Sequence, residues 1–300
     1  MGRHLVKAVQ RYVGRGFTDD DIALIAGLCA DAATPTREAI ARAACEALDW
    51  RAPNGAPKTM SAKVAFLAMH RDGLICLPPP RHHNTNGRAV RHLAAPSQDR
   101  LPIPRPSTLK EIGVLRLRLV KDRSASATWN EAIARYHYLG YVPLAGAQLR
   151  YLIEADCGLL GALSFGASAW KCAPRDTHIG WDAATRQSRL HLVIGNARFL
   201  LLPDATVPNL ASTVLARTTR RLRGDWQATY GYAPVLIETF VETARFAGTS
   251  YQAANWIRVG QTKGRGKLDR THARALPVKD VFLCPLHRAY KTILTAPRTP

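Results

Sequence analysis

Residues 234–266 read PVLIETFVETARFAGTSYQAANWIRVGQTKGRG, and they combine a strand pattern, a loop, a turn and a basic glycine-rich tail. The apolar run at 235–237 predicts a buried strand that ends at Glu238. The turn that follows holds three polar or aromatic side chains, Tyr251, Asn255 and Trp256. A scaffold alone does not require an acid, aromatic rings, an amide and basic residues in so short a segment. We therefore interpret these residues as the functional edge of a C-terminal domain.

The charge of the chain is strongly positive. There are 42 lysines and arginines against 22 aspartates and glutamates, a formal net charge of +20. A surface this basic indicates a polyanionic partner, and nucleic acid is the first candidate because each neutralised phosphate releases counterions. The alternative is a basic protein without such a partner. With 47% apolar residues among 300, the chain is long and apolar enough to fold around one or two cores.

No apolar run approaches the ~20 residues that a transmembrane helix requires, and the first residues lack the uninterrupted apolar segment of a signal peptide. We expect a cytoplasmic protein that does not bind membranes. The six cysteines form no Cys-x-x-Cys pair, which predicts reduced core thiols and neither a zinc site nor a disulfide framework. His82 and His83 lie in a basic, proline-rich run, so we interpret them as solvated and expect no bound metal.

Residues 1–77 have the pattern of a small helical domain. Apolar residues recur at helical spacing in three segments, 18–32, 34–50 and 60–71. A short apolar run at 74–77 predicts a wing strand, and the order helix, turn, helix, strand is that of a winged-helix-like DNA-binding domain. In that interpretation Lys58 and Lys63 contact phosphates. The alternative is a helical bundle whose third helix belongs to the core.

Residues 78–108 are rich in proline, arginine and histidine and lack periodicity, which predicts a linker. Residues 109–300 form the second predicted domain. Its order is strand, helix, hairpin, long strand, long helix, strand, short helix and two strands. Gly195 and Asn196 interrupt the long strand, which indicates a β-bulge or a splayed strand. We therefore expect an α+β protein with a mixed central sheet and flanking helices, preceded by the winged-helix-like domain.

The element order of the second domain resembles the GNAT acyltransferase fold, in which strands four and five diverge and the cofactor enters the gap. Several sequence motifs add to this likeness: RYHYLG at 135–140, GLLGALSFGASAWK at 158–171, IGNARF at 194–199, AS at 211–212, ETFV at 238–241, GTSYQAANW at 248–256 and GQTKGRG at 260–266. In combination they resemble the DruA family, a component of the Druantia anti-phage system whose relatives also accompany mobile elements. The resemblance extends from about Trp50 to Tyr290.

The resemblance to the DruA family implies a DNA-binding protein of an anti-phage defence or transposon-associated module. DNA and other defence-system or transposition proteins are then the expected partners. The C-terminal core is also similar, more distantly, to the Mom-like phage proteins, GNAT relatives that modify adenine in DNA. The features shared with that group fall on His137, Ser212, Glu238, Gly248, Tyr251, Gln252, Asn255 and Trp256.

One segment departs from the GNAT pattern. GNAT enzymes usually hold the CoA pyrophosphate with a glycine-rich turn at the head of the long helix, whereas residues 203–212 read PDATVPNLAS. The start of the helix and Ser212 are what this segment offers as an anion or cofactor site. The sequence identifies no cofactor.

Three residues are candidates for catalysis. Glu238 ends an apolar strand, where burial raises a carboxyl pKa and suits a general base; alternatively, it accepts hydrogen bonds from neighbouring loop amides. His137 lies between two tyrosines at a predicted helix end, either as an acid, base or base-contacting group or as a packed histidine. Asn196 lies at the predicted bulge, near Arg198. Arg198 suits binding to a phosphate, unless these polar residues simply face outward from the strand.

Aromatic and basic residues further along the chain are candidates for nucleic-acid binding. Tyr251 and Trp256 suit stacking on a base and Asn255 suits reading its edge, although both rings also fit the core of a short helix. The tail between 258 and 274 is basic, and its glycines allow the close approach that phosphate contacts require. Its candidate contacts are Lys263, Arg265 and Lys267.

Three functions are open on these grounds. The chain modifies or processes DNA through its GNAT-like domain, or it is a non-catalytic recognition or recruiting subunit with the same DNA-binding architecture. The third is a metal-dependent nuclease, in which polar residues between the hairpin and the long strand surround Mg²⁺ together with Glu238. Those residues are Lys171, Asp176, His178 and Asp182. The motifs of serine hydrolases and P-loop NTPases are missing.

Overall fold

The computed structural model describes residues 9–53, 55–80, 104–144, 146–264 and 276–296. Contacts within the chain divide it into two compact units, residues 1–91 and 92–300. Each unit has its own hydrophobic core. None of the helices in the described ranges has both the length and the apolarity that crossing a bilayer requires.

The first unit contains a short hairpin followed by three helices. Its elements are β1 (Gln10–Tyr12), β2 (Arg15–Phe17), α1 (Asp19–Ala30), α2 (Arg37–Ala47) and α3 (Thr59–Arg71). Thr18 and Asp21 form a reciprocal capping box that fixes the start of α1. The side chain of Thr36 caps α2 in the same position. Each helix buries one apolar face in a common core, as the helical spacing predicted.

The wing strand predicted at 74–77 is not a strand in the structure, and the hairpin of this unit lies before the helices. Ile75 and Leu77 are buried in the helical core instead. The Leu77 N–H donates to His70 Nδ1 at 3.4 Å. The backbone of Leu77 is therefore hydrogen-bonded to a side chain of α3 and not to a neighbouring strand. Without this strand, the winged-helix interpretation stays a prediction that rests on the helices alone.

The second unit is built on one seven-stranded mixed sheet. Its strands are β3 (Arg116–Leu119), β4 (Gln148–Ala155), β5 (Gly158–Ala167), β6 (Val193–Leu201), β7 (Leu236–Glu242), β8 (Ile257–Gln261) and β9 (Lys279–Pro285). Its helices are α4 (Arg123–Tyr136), α5 (Ala173–Ile179), α6 (Ala183–Arg189), α7 (Leu210–Tyr230), α8 (Thr249–Ala253) and α9 (Tyr290–Thr295). The strand order is β3-β4-β5-β6-β7-β9-β8. The predicted α+β class, with a mixed central sheet and flanking helices, is confirmed.

The parallel strands β6 and β7 leave a gap in the sheet. These two strands, joined by α7, pair only where residues 193–195 lie beside 236–238, and they diverge beyond that point. They are the fourth and fifth strands of the unit, which is where the GNAT resemblance implied a gap. A register shift between β5 and β6 leaves Ala197 unpaired between Asn196 and Arg198. This is the bulge that the sequence predicted, and it increases the local twist.

Helices cover both faces of the sheet. Leu215, Leu222 and Trp226 of α7 pack on one face, whereas Trp181 and the buried Leu294 of α9 pack on the other. The segment between β5 and β6, expected to be a polar excursion, contains α5 and α6. α5 buries Arg175 and Ile179, whereas α6 buries no residue and begins at the capping side chain of Asp182.

The outermost strand β3 is protected by arginines of α7. The guanidinium of Arg217 donates from Nη1 to Leu115 O at 2.9 Å, and that of Arg221 donates from Nη1 to Leu117 O at 2.7 Å. These carbonyls lie along the strand edge, where free backbone groups otherwise invite another strand. The two arginines therefore satisfy backbone acceptors.

All six cysteines are free thiols. Cys45, Cys172 and Cys284 are buried, as expected for core residues. Cys76 and Cys157 are exposed, which differs from the expectation of core thiols because each lies in a connecting segment outside the apolar clusters.

Candidate functional site

A cavity of about 750 Å³ opens where β6 and β7 diverge. The strands supply its walls, the end of α4 and the segment from 245 to 251 supply its mouth, and Lys279 lies at its rim. Its polar and aromatic lining residues include His137, Tyr138, Asn196, Arg198, Thr239, Arg245, Phe246, Ser250, Tyr251 and Lys279. Among the described residues that line it there is no aspartate or glutamate. The cavity is therefore suited to an anionic ligand.

Asn196 shapes the cavity wall from within the bulge. Its side chain is 8% exposed. The amide Nδ2 donates to Ser164 O at 3.0 Å and to Arg198 O at 3.1 Å, while Oδ1 accepts from the Tyr251 hydroxyl at 2.8 Å. Both ends of the amide are thus engaged with protein groups. The predicted catalytic role of Asn196 stays a prediction, and these contacts support a role in holding the bulge and Tyr251.

Tyr251 is held in the wall by other aromatic rings. It lies 5.8 Å from Phe282 in a stacked arrangement and 5.0 Å from Trp256 in a T-shaped one, measured between ring centroids. Burial raises the pKa of Tyr251 to about 12, so the hydroxyl stays protonated and donates to Asn196.

Trp256 and Asn255 differ in their surroundings. Trp256 is only 4% exposed and belongs to the core. The ring is therefore packed on protein and not on the accessible surface that stacking on a base requires. Asn255 is exposed, and its positive φ of 61° makes the turn that leads into β8.

His137 contributes a hydrogen-bond donor to the cavity. It ends α4, and burial together with the nearby positive charge of Arg198 lowers its pKa to about 4. The ring is therefore neutral near pH 7. Its Nδ1 accepts the N–H of Leu139 at 3.2 Å, which leaves the proton on Nε2. In this state His137 presents an N–H group and not a free base to the cavity.

Three cations give the cavity a positive potential. The guanidinium of Arg198 donates from Nη1 to Ala197 O at 2.8 Å, and burial lowers its pKa. Neither Arg198 nor Lys279 forms an ion pair with any residue that the structure describes. Arg245 pairs with Glu242 Oε1 at 3.0 Å and lies 5.2 Å from the centroid of the Tyr138 ring. Two of the three cations thus have no ion-pair partner among the described residues, although Glu242 lies opposite Lys279 in the pairing of β7 with β9.

Glu238 does not line this cavity. It is the third residue of β7, inside the strand and not at its end, and its side chain is completely buried. Oε1 accepts the N–H of Ala169 at 2.6 Å, and Oε2 lies 2.7 Å from Arg175 Nη1. Burial raises the pKa of the carboxyl, which the neighbouring Arg175 opposes. General-base catalysis by Glu238 stays a prediction, whereas its contacts are those of the alternative structural role.

The two aspartates suggested for a nuclease site also have structural partners. Asp176 Oδ1 lies 2.8 Å from Arg175 Nη2 and accepts the indole N–H of Trp181 at 2.9 Å. Asp182 caps α6 by accepting the N–H of Thr185 at 2.7 Å. No group of three metal-ligating side chains occurs within the described part of the chain.

The remaining predicted contacts lie in three places. Lys58 is exposed at the start of α3, and Lys63 pairs with Glu38 Oε2 at 2.6 Å. Lys263 is exposed just after β8. The hydroxyl of Ser212 donates to Asn209 O at 3.1 Å in the first turn of α7. Arg265 and Lys267 lie outside the described residues.

Sequence reasoning missed four residues of the cavity, Tyr138, Arg245, Phe246 and Lys279. Tyr138 was visible within RYHYLG, beside His137. The other three carry no periodic or motif signal, since two lie in the loop after β7 and one begins β9. Their approach to Tyr138 depends on the packing of distant segments.

Comparison with known proteins gives one family and one curated relative. The family model described as Druantia protein DruA matches residues 68–275. Druantia protein DruA from Escherichia coli (strain UMEA 4076-1) is 38% identical over 77 residues. That match covers 24% of this chain and 19% of the length of the relative.

Among solved structures, the chain is similar to several acyl-transferring enzymes. Spermidine/spermine N-acetyltransferase SpeG from Vibrio cholerae has a TM-score of 0.36 and 12% identity, covering 60% of this chain and 96% of that one. An N-acetyltransferase from Staphylococcus aureus Mu50 has a TM-score of 0.38 and 15% identity, and the match covers 58% of this chain and 100% of that one. FeeM, an N-acyl amino acid synthase from uncultured soil microbes, has a TM-score of 0.35 and 11% identity, and the match covers 61% of this chain and 95% of that one.

Proposed function

Since this chain belongs to the Druantia protein DruA family, we propose that it serves an anti-phage defence module as a DNA-binding protein. The observation that carries the proposal is the cavity between β6 and β7, which gathers Arg198, Arg245 and Lys279 without a carboxylate in its described lining. A phosphate group fits such a site because its charge is opposite and the guanidinium groups offer several donors. Other proteins of the same module are the expected partners.

A role in DNA recognition explains the lining of the cavity and requires no proton transfer. His137 offers a donor, the amide of Asn196 is engaged with protein groups, and the carboxyl of Glu238 is buried against Arg175. A general base needs access to the proton that it removes. We therefore favour the recognition subunit over DNA modification or processing.

The segment before α7 lacks the glycine-rich turn with which GNAT enzymes usually hold the CoA pyrophosphate. Residues 203–212 contain no glycine. The N–H of Leu210 donates to Val207 O at 3.2 Å, and the hydroxyl of Ser212 donates to Asn209 O, so these two donors of the helix start are already used. Acyl transfer from CoA therefore finds no support at the head of this helix.

The proposal is tested by titrating the protein into fluorescently labelled single-stranded and duplex DNA of unrelated sequence, and following anisotropy at increasing salt. We expect binding whose affinity falls steeply as salt rises, because several phosphates are neutralised. Absence of binding, or an affinity that does not respond to salt, would overturn the proposal.

A further inference from the structure

Two exposed aromatic rings meet at the mouth of the cavity. Tyr138, two residues beyond α4, is 38% exposed, and Phe246, in the loop after β7, is 49% exposed. Their centroids lie 5.4 Å apart with an angle of 59° between the ring planes. Two exposed aromatic rings in contact form a small apolar patch, and such a patch beside a cavity is a candidate contact site for a partner.

The Tyr138 ring has a defined orientation although it is accessible. The His137 ring stacks on it at 4.9 Å with an interplanar angle of 25°, and the Arg245 guanidinium lies 5.2 Å from its centroid. The Tyr138 hydroxyl forms no hydrogen bond to any described residue. A preoriented ring with an unused hydroxyl is suited to an incoming flat, polar group.

We infer that Tyr138 and Phe246 form a stacking platform for one unpaired base of single-stranded DNA. This inference rests on the proposed function and adds to it the form of DNA that enters the site. The base stacks on Phe246, the more exposed of the two rings, beside the Tyr138 ring that His137 and Arg245 already contact. Arg198 and Lys279 bind the flanking phosphates. The Nε2–H of His137 donates to an acceptor on the base edge.

The shape and charge of the site favour this ligand. A cavity of about 750 Å³ accommodates a nucleotide-sized group. A base within a duplex is covered on both faces by its neighbours, so only an unpaired or extruded base presents a free face. Since every base has such a face, we expect little sequence preference at this position.

The platform differs in position from the one that the sequence suggested. Tyr251 packs on Phe282 and Trp256, and Trp256 is itself buried, so these rings contact each other within the core. Tyr138 and Phe246 lie at the opening, where a ligand reaches them without displacing the core.

The test uses a single-stranded oligonucleotide that contains one fluorescent adenine analogue, whose emission falls when the base is stacked on an aromatic ring. With the full chain we expect quenching and tighter binding than to the matched duplex. Phe246→Leu keeps an apolar side chain but removes the aromatic face, and we expect it to lower single-strand affinity about ten-fold and to abolish quenching. Phe246→Trp should retain both.

Val114→Ala is the control, because Val114 is 60% exposed in the same unit and lies outside the cavity. If DNA binds but neither quenching nor the effect of Phe246→Leu is seen, the platform is refuted and the proposed function stands. If no DNA binds, the proposed function fails as well. Equal affinity for duplex and single strand without quenching would also refute the platform. Circular dichroism establishes that each variant is folded.

Discussion

Glu238 Oε2 lies 2.7 Å from Arg175 Nη1, and both side chains are completely buried. Glu238 pairs with Gly195 at the last register position before β6 and β7 diverge. The Arg175 guanidinium also lies 2.8 Å from Asp176 and donates to Ala169 O at 2.7 Å. This ion pair thus fastens the segment between β5 and β6 to the sheet at the origin of the cavity.

Replacing Glu238 by glutamine should destabilise the protein. Glu238→Gln leaves Arg175 buried with only part of its charge compensated, and loss of one partner of a buried pair costs about 3–5 kcal/mol. Urea denaturation followed by tryptophan fluorescence measures the free energy of unfolding. A double-mutant cycle with Arg175→Met supplies the control, because the double variant should lose less stability than the two single variants together. An unchanged stability of Glu238→Gln would contradict the structural role and favour the catalytic one.

Acid should destabilise the protein in part through His137. Its pKa is about 4 in the folded chain against an ordinary value of 6.5, so the unfolded chain binds a proton first as pH falls. The contribution of His137 to stability is therefore complete above pH 6.5 and is lost as pH falls toward 4. After allowance for its half-exposed position, the loss amounts to about 1–2 kcal/mol.

The comparison that isolates this effect is the free energy of unfolding of the parent and of His137→Gln at several pH values. We expect the two curves to differ in slope between pH 4 and pH 6.5 and to run parallel above that range. Parallel curves throughout would mean that His137 titrates at its ordinary pKa.

Gly248 is required by the cavity wall. Its φ is 73°, and a Cβ atom at this position would lie 2.7 Å from Cζ of the buried Phe282, against which Tyr251 stacks. Gly248→Ala should cost about 2–3 kcal/mol through backbone strain and overpacking. Gly140→Ala is the matched control, because Gly140 has a φ of 62° but open space around its Cα. Thermal unfolding should show a clearly larger loss for Gly248→Ala, and equal losses would count against the predicted clash.

Arg217 and Arg221 should keep the protein from associating through β3. Replacing both by methionine removes the donors to Leu115 O and Leu117 O and leaves a strand edge with free carbonyls. Sedimentation velocity should then show dimers or larger species. Arg220→Met, on the exposed side of the same helix, should sediment like the parent. Unchanged sedimentation of the double variant would show that the edge needs no such protection.

The order of the strands and of α4, α7 and α8 in the second unit was predictable because these elements have local signals, whereas α5, α6 and α9 were not predicted. Alternating leucines mark β3, a turn marks the hairpin of β4 and β5, and Gly195 marks the bulge in β6. The contacts of Glu238 were not predictable, since its partner Arg175 is 63 residues away in the chain. The run at 74–77 has strand-like composition, but its burial against helices is decided by tertiary packing.

The candidate site was predictable in part, because several of its residues belong to local sequence motifs. His137, Asn196, Arg198 and Tyr251 line one cavity, and each belongs to a motif that the sequence displays. Phe246 was not recognised, because only the folded chain brings it beside Tyr138. Conversely, no sequence pattern distinguishes the buried Trp256 from an exposed ring.

The most direct test of the account is the salt dependence of single-stranded DNA affinity for Arg198→Gln and for Arg118→Gln. Arg198 has no ion-pair partner among the described residues. Arg118 is paired with Asp122 and Glu154, and it lies on β3, which β4 and β5 separate from the cavity strand β6. We predict that Arg198→Gln weakens binding and lowers the slope of log affinity against log salt by about 0.7, while Arg118→Gln changes neither. Identical slopes and affinities for the parent and Arg198→Gln would contradict DNA binding through the cavity.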